Sequence, residues 1–120
     1  KDIVNSSLNY GYAILYGKIQ NSLVKAGVSL NISFLHSLDK QKPTLVFDMI
    51  EEFRSFVVDR IVISMINKDE PIKLDKSGFL TDKSKKLIAK NIYEKLGSYT
   101  MWRKKSIKIE NIIQIQAYNL

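Results

Sequence analysis

The fold depends on the stretch Phe34-Leu35-His36, a short polar loop, and then Pro43-Thr44-Leu45-Val46-Phe47-Asp48-Met49-Ile50-Glu51-Glu52-Phe53-Arg54. This stretch joins the only histidine of the sequence to a predicted long helix. Residues three and four apart lie on one face of an α-helix, so Asp48 is expected beside Glu51 and Glu52. An imidazole at His36 facing clustered carboxylates predicts a divalent-metal site, and nitrogen and oxygen ligands suit manganese or magnesium. The alternative is a structural histidine and a hydrated helix start, where negative charge suits the helix dipole.

Length and composition are those of one folded unit. The 120 residues form one domain or a piece of one, and they are enough to bury a hydrophobic core. The absence of cysteine excludes disulfides and zinc–thiolate sites. No apolar run approaches the ~20 residues that a transmembrane helix needs, and the opening residues are not a signal peptide. We therefore expect no membrane partner.

Positive charge is concentrated towards the end of the chain. The net charge is +7, and residues 83–108 hold nine basic side chains against Glu94 alone. The rest of the sequence is close to neutral. A basic block of this kind suits a polyanion, most simply a nucleic-acid backbone. The alternative is a solvated lysine-rich helix face.

Hydrophobic periodicity predicts a mainly helical, all-α domain with one small β-hairpin. The first helix is predicted over Asp2–Ala26, capped by Asp2 and ended by a left-handed Gly27. Gly11 and Gly17 inside it predict close packing of another backbone, because glycine otherwise weakens a helix. Polar side chains on the same helix also predict a face that lines a site; they are Asn9, Tyr10 and Tyr12.

The remaining predicted elements follow in order. They are a central helix over about Thr44–Asn67, a hairpin pairing Ile72–Leu74 with Phe79–Thr81, a helix capped by Thr81 or Asp82 and running to Leu96, and a last helix. The main apolar stripe of the central helix is predicted to be Val46, Ile50, Phe53, Val57, Ile61 and Met65, widened by Met49, Val58 and Val62. The last helix is ambiguous, since Ile107, Ile109, Ile113 and Ile115 also fit the period of a strand.

An ordered set of motifs resembles the C-terminal helical domain of the CRISPR-associated integrase, the endonuclease that inserts new spacers into the repeat array. Asp2-Ile3-Val4-Asn5-Ser6-Ser7-Leu8-Asn9-Tyr10-Gly11-Tyr12-Ala13-Ile14-Leu15 resembles the asparagine- and tyrosine-rich opening of that domain. Ala26-Gly27-Val28 and Phe34-Leu35-His36 resemble the family's next two motifs, and Thr44 to Arg54 resembles its acidic helix. Each motif alone is weak, whereas the ordered set is specific and covers most of the chain.

The resemblance implies a metal-dependent enzyme that cuts and joins DNA. Family members bind Mg2+ or Mn2+ through a glutamate, a histidine and an acidic residue. On this match His36 and Glu51 are metal ligands and catalytic residues, and Asp48 is an accessory catalytic acid one turn earlier. The first glutamate of the family falls before Lys1, so we expect little activity from this chain alone. Arg54 is expected to pair with Asp48 or Glu51, the alternative being a phosphate contact.

The resemblance also sets expectations for partners and domain organisation. Residues 1–120 are expected to be part of a C-terminal helical catalytic domain, a fragment of a larger two-domain protein that lacks its N-terminal β domain. The implied partners are double-stranded DNA (the donor spacer and the CRISPR repeat), a second copy of the full-length protein, and the second small adaptation protein, in the prokaryotic cytoplasm. DNA-binding residues are expected in the basic block, namely Lys86, Lys90, Arg103, Lys104 and Lys105.

Two other functions remain open at this point. One is a non-catalytic basic DNA-binding domain in which Asp48, Glu51 and Arg54 form a structural ion-pair network. The other is a related transposon integrase, which shares the fold and which the sequence separates poorly from the CRISPR enzyme. Trp102 belongs either to a DNA-gripping surface with its basic neighbours or to the core.

Overall fold

The first helix, α1 (Ile3–Lys25), begins and ends where the sequence predicts in a computed structural model that describes residues 2–27 and 48–119. Asp2 caps its start, since the Asp2 Oδ1 atom accepts a hydrogen bond from the Val4 amide at 2.8 Å. Gly27 follows its end with φ of +81°, the left-handed conformation that glycine adopts without a Cβ clash. Both predicted helix signals are therefore confirmed.

The second helix, α2, is described from residue 48 to residue 67 and contains a turn that the sequence did not indicate. Residues 48–53 are α-helical, Arg54–Asp59 is a π-helix, and Arg60–Asn67 is α-helical again. The predicted end at Asn67 is confirmed, while the predicted start at Thr44 lies outside the described residues. A π-helical turn holds one residue more than an α-helical turn, so it rotates the register of everything that follows.

The buried face of α2 continues through the π-helical turn. The buried residues include Val57, Val58 and Val62, each with 0% exposure, whereas Ile61 is only half-buried. Val57 belongs to the predicted main stripe, and Val58 and Val62 belong to the residues predicted to widen it. Ile61 packs against the core although it is partly exposed, so the predicted apolar face of α2 is confirmed over its described residues.

The third helix, α3 (Asp82–Leu96), confirms the predicted capping. The Thr81 hydroxyl accepts a hydrogen bond from the Ser84 amide, and Gly97 follows the last turn. The Ser84 hydroxyl also contacts the backbone of Lys73, so the loop before the helix is tied to its first turn. This loop is the place where the sequence predicted a β-hairpin.

The hairpin is real but lies elsewhere in the chain. The predicted pairing of Ile72–Leu74 with Phe79–Thr81 is reduced to a single antiparallel bridge between Leu74 and Leu80. The two-stranded sheet instead joins β1 (Tyr99–Trp102) to β2 (Lys105–Lys108), in a register that pairs Trp102 with Lys105. The last helix, α4 (Ile109–Tyr118), confirms the helical interpretation only from Ile109 onward.

The core lies between α1 and the other three helices. Its fully buried members come from all four helices; they include Leu15, Ile19, Val57, Ile88, Ile92 and Ile113. The closest approach is at Gly11, where a Cβ added to the glycine would lie 2.6 Å from the Val58 Cγ1 atom. Glycine is required there because α1 crosses directly over the π-helix. At Gly17 the expectation of close packing is wrong, since nothing in the described chain lies within 4 Å of a Cβ added at that position.

Candidate functional site

The acidic residues singled out from the sequence lie on the first described turns of α2. Asp48, Glu51 and Glu52 are all exposed. The Glu51 Oε1 atom accepts a hydrogen bond from the Arg54 Nη1 atom at 3.0 Å. This contact confirms the predicted ion pair of Arg54 with Glu51. It leaves the second carboxylate oxygen, Oε2, without a bond from Arg54.

The other half of the predicted metal site lies outside the described residues. His36 is not among the described residues, so its position relative to Glu51 and Asp48 stays a prediction. Within residues 2–27 and 48–119, no three His, Asp or Glu side chains converge closely enough to hold a metal ion. The described carboxylates fit a hard divalent cation in donor chemistry, since they offer exposed oxygens on adjacent helical turns.

Tyr12 of α1 connects the two ends of the π-helix. Its hydroxyl donates a hydrogen bond of 2.5 Å to the Asp59 Oδ1 atom, and the Arg54 Cζ atom lies 4.3 Å from the centre of its ring. A guanidinium at that distance from an aromatic face makes a cation–π contact. Arg54, Tyr12, Asp59 and Glu51 thus form one connected group, which we call the Tyr12 network.

Two members of the Tyr12 network, Tyr12 and Arg54, have raised pKa values. Burial raises the pKa of Tyr12 above its usual value of 10.0, and the hydrogen bond to the Asp59 carboxylate raises it further. The pKa of Arg54 is raised chiefly by its interaction with the Tyr12 hydroxyl. Tyr12 therefore remains a neutral hydrogen-bond donor, and Arg54 a cation, at physiological pH.

Sequence reasoning found Tyr12 but not its partners. Asn9 and Tyr10, predicted to share a site with it, instead line a separate cleft of about 460 Å3 together with Lys85. Asp59 received no role from the sequence. The contact of Asp59 with Tyr12 could not be predicted, because Arg54 and Asp59 are five residues apart. Residues five apart do not share a face in the α-helix that the sequence predicts.

The predicted DNA-binding residues fall into two exposed groups. Lys86 and Lys90 line a groove of about 280 Å3, which Lys83, Pro71 and Leu87 complete. Arg103 and Lys104 form the turn of the β-hairpin with φ of 52° and 67°, and Lys105 follows them on β2. None of these residues forms an ion pair with an acidic side chain of the described chain.

Trp102 confirms the core position that was one of its two predicted roles. It is half-buried and packs against the core, while the Arg103 Cζ atom lies 4.3 Å from its ring centre. The core contact anchors the hairpin, and the cation–π contact orients the Arg103 guanidinium at the turn.

Among the described residues, no helix is both long and apolar enough to cross a bilayer.

Comparison with known proteins gives consistent matches. The model of the family described as CRISPR associated protein Cas1 matches residues 1–96. The chain is 35% identical over its whole length to a CRISPR-associated endonuclease Cas1 of Francisella tularensis subsp. novicida and 34% identical over 98% of its length to one of Archaeoglobus fulgidus. It spans only 36% and 35% of those two relatives.

Solved structures share the fold. A Cas1 protein from Thermotoga maritima superposes with a TM-score of 0.81 at 22% identity, over 98% of this chain and 38% of that one. A casposase bound to integration product gives a TM-score of 0.75 at 24% identity, over 97% of this chain and 36% of that one. At such identities the two structures establish the architecture alone, and the predicted helical fold is confirmed. With the family match over residues 1–96 and a full-length alignment at 35% identity, the chain belongs to the Cas1 family.

Proposed function

We propose that this chain is part of a metal-dependent DNA endonuclease and integrase that inserts spacer DNA into a CRISPR repeat array. The observation that carries the proposal is the family match over residues 1–96, whose curated relatives are named endonucleases. The casposase of the same fold is described with an integration product, which supports a joining reaction. Because the chain spans about a third of its relatives, the activity belongs to the full-length protein.

The proposed reaction is a transesterification at phosphorus. A 3′-hydroxyl of the donor duplex attacks a phosphodiester at the repeat boundary, a new P–O bond forms, and the P–O bond to a 3′-oxygen of the repeat breaks. That oxygen leaves as a 3′-hydroxyl after it gains a proton. When water attacks in place of the donor hydroxyl, the same exchange gives DNA cleavage.

The residues that would hold a divalent Mg2+ or Mn2+ ion are His36 and Glu51, with Asp48 as an accessory acid. A bound ion of this kind polarises the phosphoryl oxygen and favours deprotonation of the nucleophile. Glu51 suits this role because Arg54 binds only its Oε1 atom among the described contacts and its side chain is 67% exposed. Because this chain covers only about a third of the length of its relatives, we expect the chain alone to bind the metal weakly and to be nearly inactive.

Two basic surfaces are proposed to hold the DNA backbone: the groove lined by Lys86 and Lys90, and the hairpin turn at Arg103 and Lys104. Lysine and arginine side chains that contact phosphates position a duplex without reading its sequence. The unpaired state of Lys86, Lys90 and Arg103 towards the described acidic residues favours this role over a structural one. We also propose that the full-length protein dimerises and works in the prokaryotic cytoplasm with the second small adaptation protein.

The proposal is tested by strand transfer with the full-length protein. A labelled donor duplex with free 3′-hydroxyls is incubated with Mn2+ and a plasmid carrying the CRISPR repeat, and joined products are resolved on a gel. We expect joining at the repeat boundary, and none when the donor ends in 3′-dideoxy nucleotides. A DNA-binding domain without catalysis would shift the donor but never join it, and joining without preference for the repeat would favour a transposon integrase.

Salt dependence of DNA binding tests the two basic groups. Each phosphate contact contributes about 0.9 to the slope of log affinity against log salt concentration. Replacing both Lys86 and Lys90 by glutamine should therefore reduce that slope by up to about 2 and weaken binding at low salt. The matched control replaces Lys25 and Lys76, which are exposed outside the basic block. An equal loss in the control would show that only net charge matters.

A further inference from the structure

The Tyr12 network reaches the proposed metal ligand from a different helix. We propose that Arg54 and Tyr12 are positioning residues that hold the Glu51 carboxylate in the orientation in which it binds the divalent ion. The inference rests on the proposed role of Glu51 as a ligand. It adds two residues that would act through Glu51, and it gives the π-helical turn a structural role in the proposed site.

The first step is the bond between Arg54 and Glu51. The guanidinium donates a hydrogen bond of 3.0 Å to the Oε1 atom, which restrains one of the two oxygens of the carboxylate. An exposed ion pair between residues three apart usually contributes little to stability and seldom fixes a side chain. This pair is different because the Arg54 guanidinium is itself held from another helix.

The second step is the contact of Arg54 with the Tyr12 ring. At 4.3 Å from the ring centre, the guanidinium lies against the aromatic face, and the side chain of Arg54 is only 32% exposed. The hydroxyl of Tyr12 is in turn anchored by its 2.5 Å bond to Asp59. Both ends of the tyrosine are thus occupied, which limits the positions that Arg54 can take.

The third step is the π-helix, which brings Arg54 and Asp59 to the same tyrosine. In an α-helix, residues five apart are separated by about 140° around the axis, so one side chain on α1 could not contact both. Bonds between residues five apart in a π-helix place them above one another on one face. Arg54 and Asp59 are the first and last residues of this turn. Such turns are frequent at functional sites.

The fourth step is the close crossing of α1 over this turn. The gap between Gly11 and the Val58 Cγ1 atom leaves no room for a methyl group, so α1 lies directly against the π-helix. Tyr12 follows Gly11 and therefore has a fixed position relative to α2. The orientation of Glu51 is in this way linked to the packing of two core helices.

Positioning and simple electrostatics predict opposite signs when Arg54 is replaced. A cation beside a metal ligand repels the metal, so its removal should tighten metal binding if charge alone matters. If Arg54 orients Glu51, its removal should weaken binding, and loss of such supporting contacts typically costs 10–100-fold in affinity or activity. Arg54→Met keeps the apolar stem of the side chain and removes both the charge and the donor.

The experiment measures Mn2+ binding by the full-length protein through the electron paramagnetic resonance signal of free Mn2+. We expect Arg54→Met and Tyr12→Leu each to raise the dissociation constant about tenfold. Tyr12→Leu is informative because it leaves the Arg54 charge in place and removes only its support. The control is Tyr93→Leu, since Tyr93 is an exposed tyrosine on α3, and it should bind Mn2+ as the wild type does.

A second readout separates positioning from catalysis. If the two residues only orient Glu51, strand transfer by both variants should approach the wild-type rate at saturating Mn2+. A rate that stays low at saturating Mn2+, with unchanged Mn2+ affinity, would overturn the proposal and make Arg54 a substrate contact. Unchanged or tighter Mn2+ binding by Arg54→Met would overturn it as well. Circular dichroism checks folding, and if Tyr12→Leu unfolds, Arg54→Met alone decides the outcome.

Glu51→Gln separates failure of the inference from failure of the proposed function. If Glu51→Gln weakens Mn2+ binding and Arg54→Met does not, Glu51 is a ligand that needs no positioning, and only the inference fails. If Glu51→Gln leaves Mn2+ binding unchanged, Glu51 is not a ligand. The proposed metal role then fails, and the positioning role fails with it.

Discussion

Replacing His36 by alanine in the full-length protein is expected to abolish both DNA cleavage and strand transfer. The same loss is expected for Glu51→Gln, which keeps the shape of the side chain and removes its charge. A metal ion typically supplies several kcal/mol of transition-state stabilisation, and each 1.36 kcal/mol is a factor of ten in rate. We therefore expect both rates to fall by on the order of 10²-fold or more at saturating DNA.

The matched control for this experiment is the neighbouring carboxylate. Glu52 is exposed, lies next to Glu51 in the chain, and is not among the ligands that the family resemblance implies. Glu52→Gln changes the charge by the same amount and should retain most of the activity. DNA affinity, measured separately by anisotropy, should be unchanged in all three variants because the basic residues that hold the backbone are untouched.

Retained activity in both His36→Ala and Glu51→Gln would contradict the metal-site assignment. The chemistry would then belong to another part of the full-length protein, and this chain would act as a basic DNA-binding domain. Loss of activity together with loss of DNA affinity would indicate a folding defect instead. Cleavage and joining lost with DNA binding intact is the one pattern that a metal site at His36 and Glu51 predicts.

The helices could be predicted because their signals are local. Asp2 lies at the start of α1, Gly27 lies just past its end, and Thr81 caps α3. Each does so through contacts with residues only two to four positions away. The hairpin was misplaced because the Asp75–Gly78 turn resembles a hairpin loop, whereas the true turn at Arg103 and Lys104 is made of residues that rarely adopt positive φ. Strand pairing depends on tertiary contacts that a local pattern does not contain.

The site could be predicted only in part, and the reason is geometric. Glu51 and Arg54 are three apart on one helix, so the sequence is sufficient to pair them. Tyr12 and Asp59 are 47 positions apart, and their hydrogen bond needs both the crossing of α1 over α2 and the π-helical turn. The periodicity of the sequence does not predict a single π-helical turn, because such a turn inserts only one residue into an otherwise α-helical pattern.

Replacing Gly11 by alanine is expected to destabilise the protein, although alanine is the better helix former. The added Cβ would lie 2.6 Å from the Val58 Cγ1 atom, and valine in a helix has one strongly preferred rotamer, so α1 must move. Overpacking of this kind costs about 1–3 kcal/mol, against a gain of up to about 1 kcal/mol in helix propensity. The free energy of unfolding, measured in urea by circular dichroism, should fall by roughly 1–2 kcal/mol.

Gly17→Ala is the matched control on the same helix. With nothing in the described chain within 4 Å of its new methyl group, it should stabilise the protein by about 0.5–1 kcal/mol through propensity alone. A loss of stability at both glycines would show that the Val58 contact is not the cause. Opposite signs at the two positions would assign the cost at Gly11 to the crossing.

The Val58→Ala background tests the same contact from the other side. Val58→Ala alone should destabilise the core, but it removes the Cγ1 atom that the new Gly11 methyl group would strike. Gly11→Ala should then lose most of its cost, because the remaining close atom is the flexible Ile92 Cδ1 at 3.0 Å, and residues in contact show such coupling. Since Tyr12 follows Gly11, the single variant should also weaken Mn2+ binding, and the double variant should restore it. Recovery of stability without recovery of Mn2+ binding would separate the packing of α1 from the orientation of Glu51.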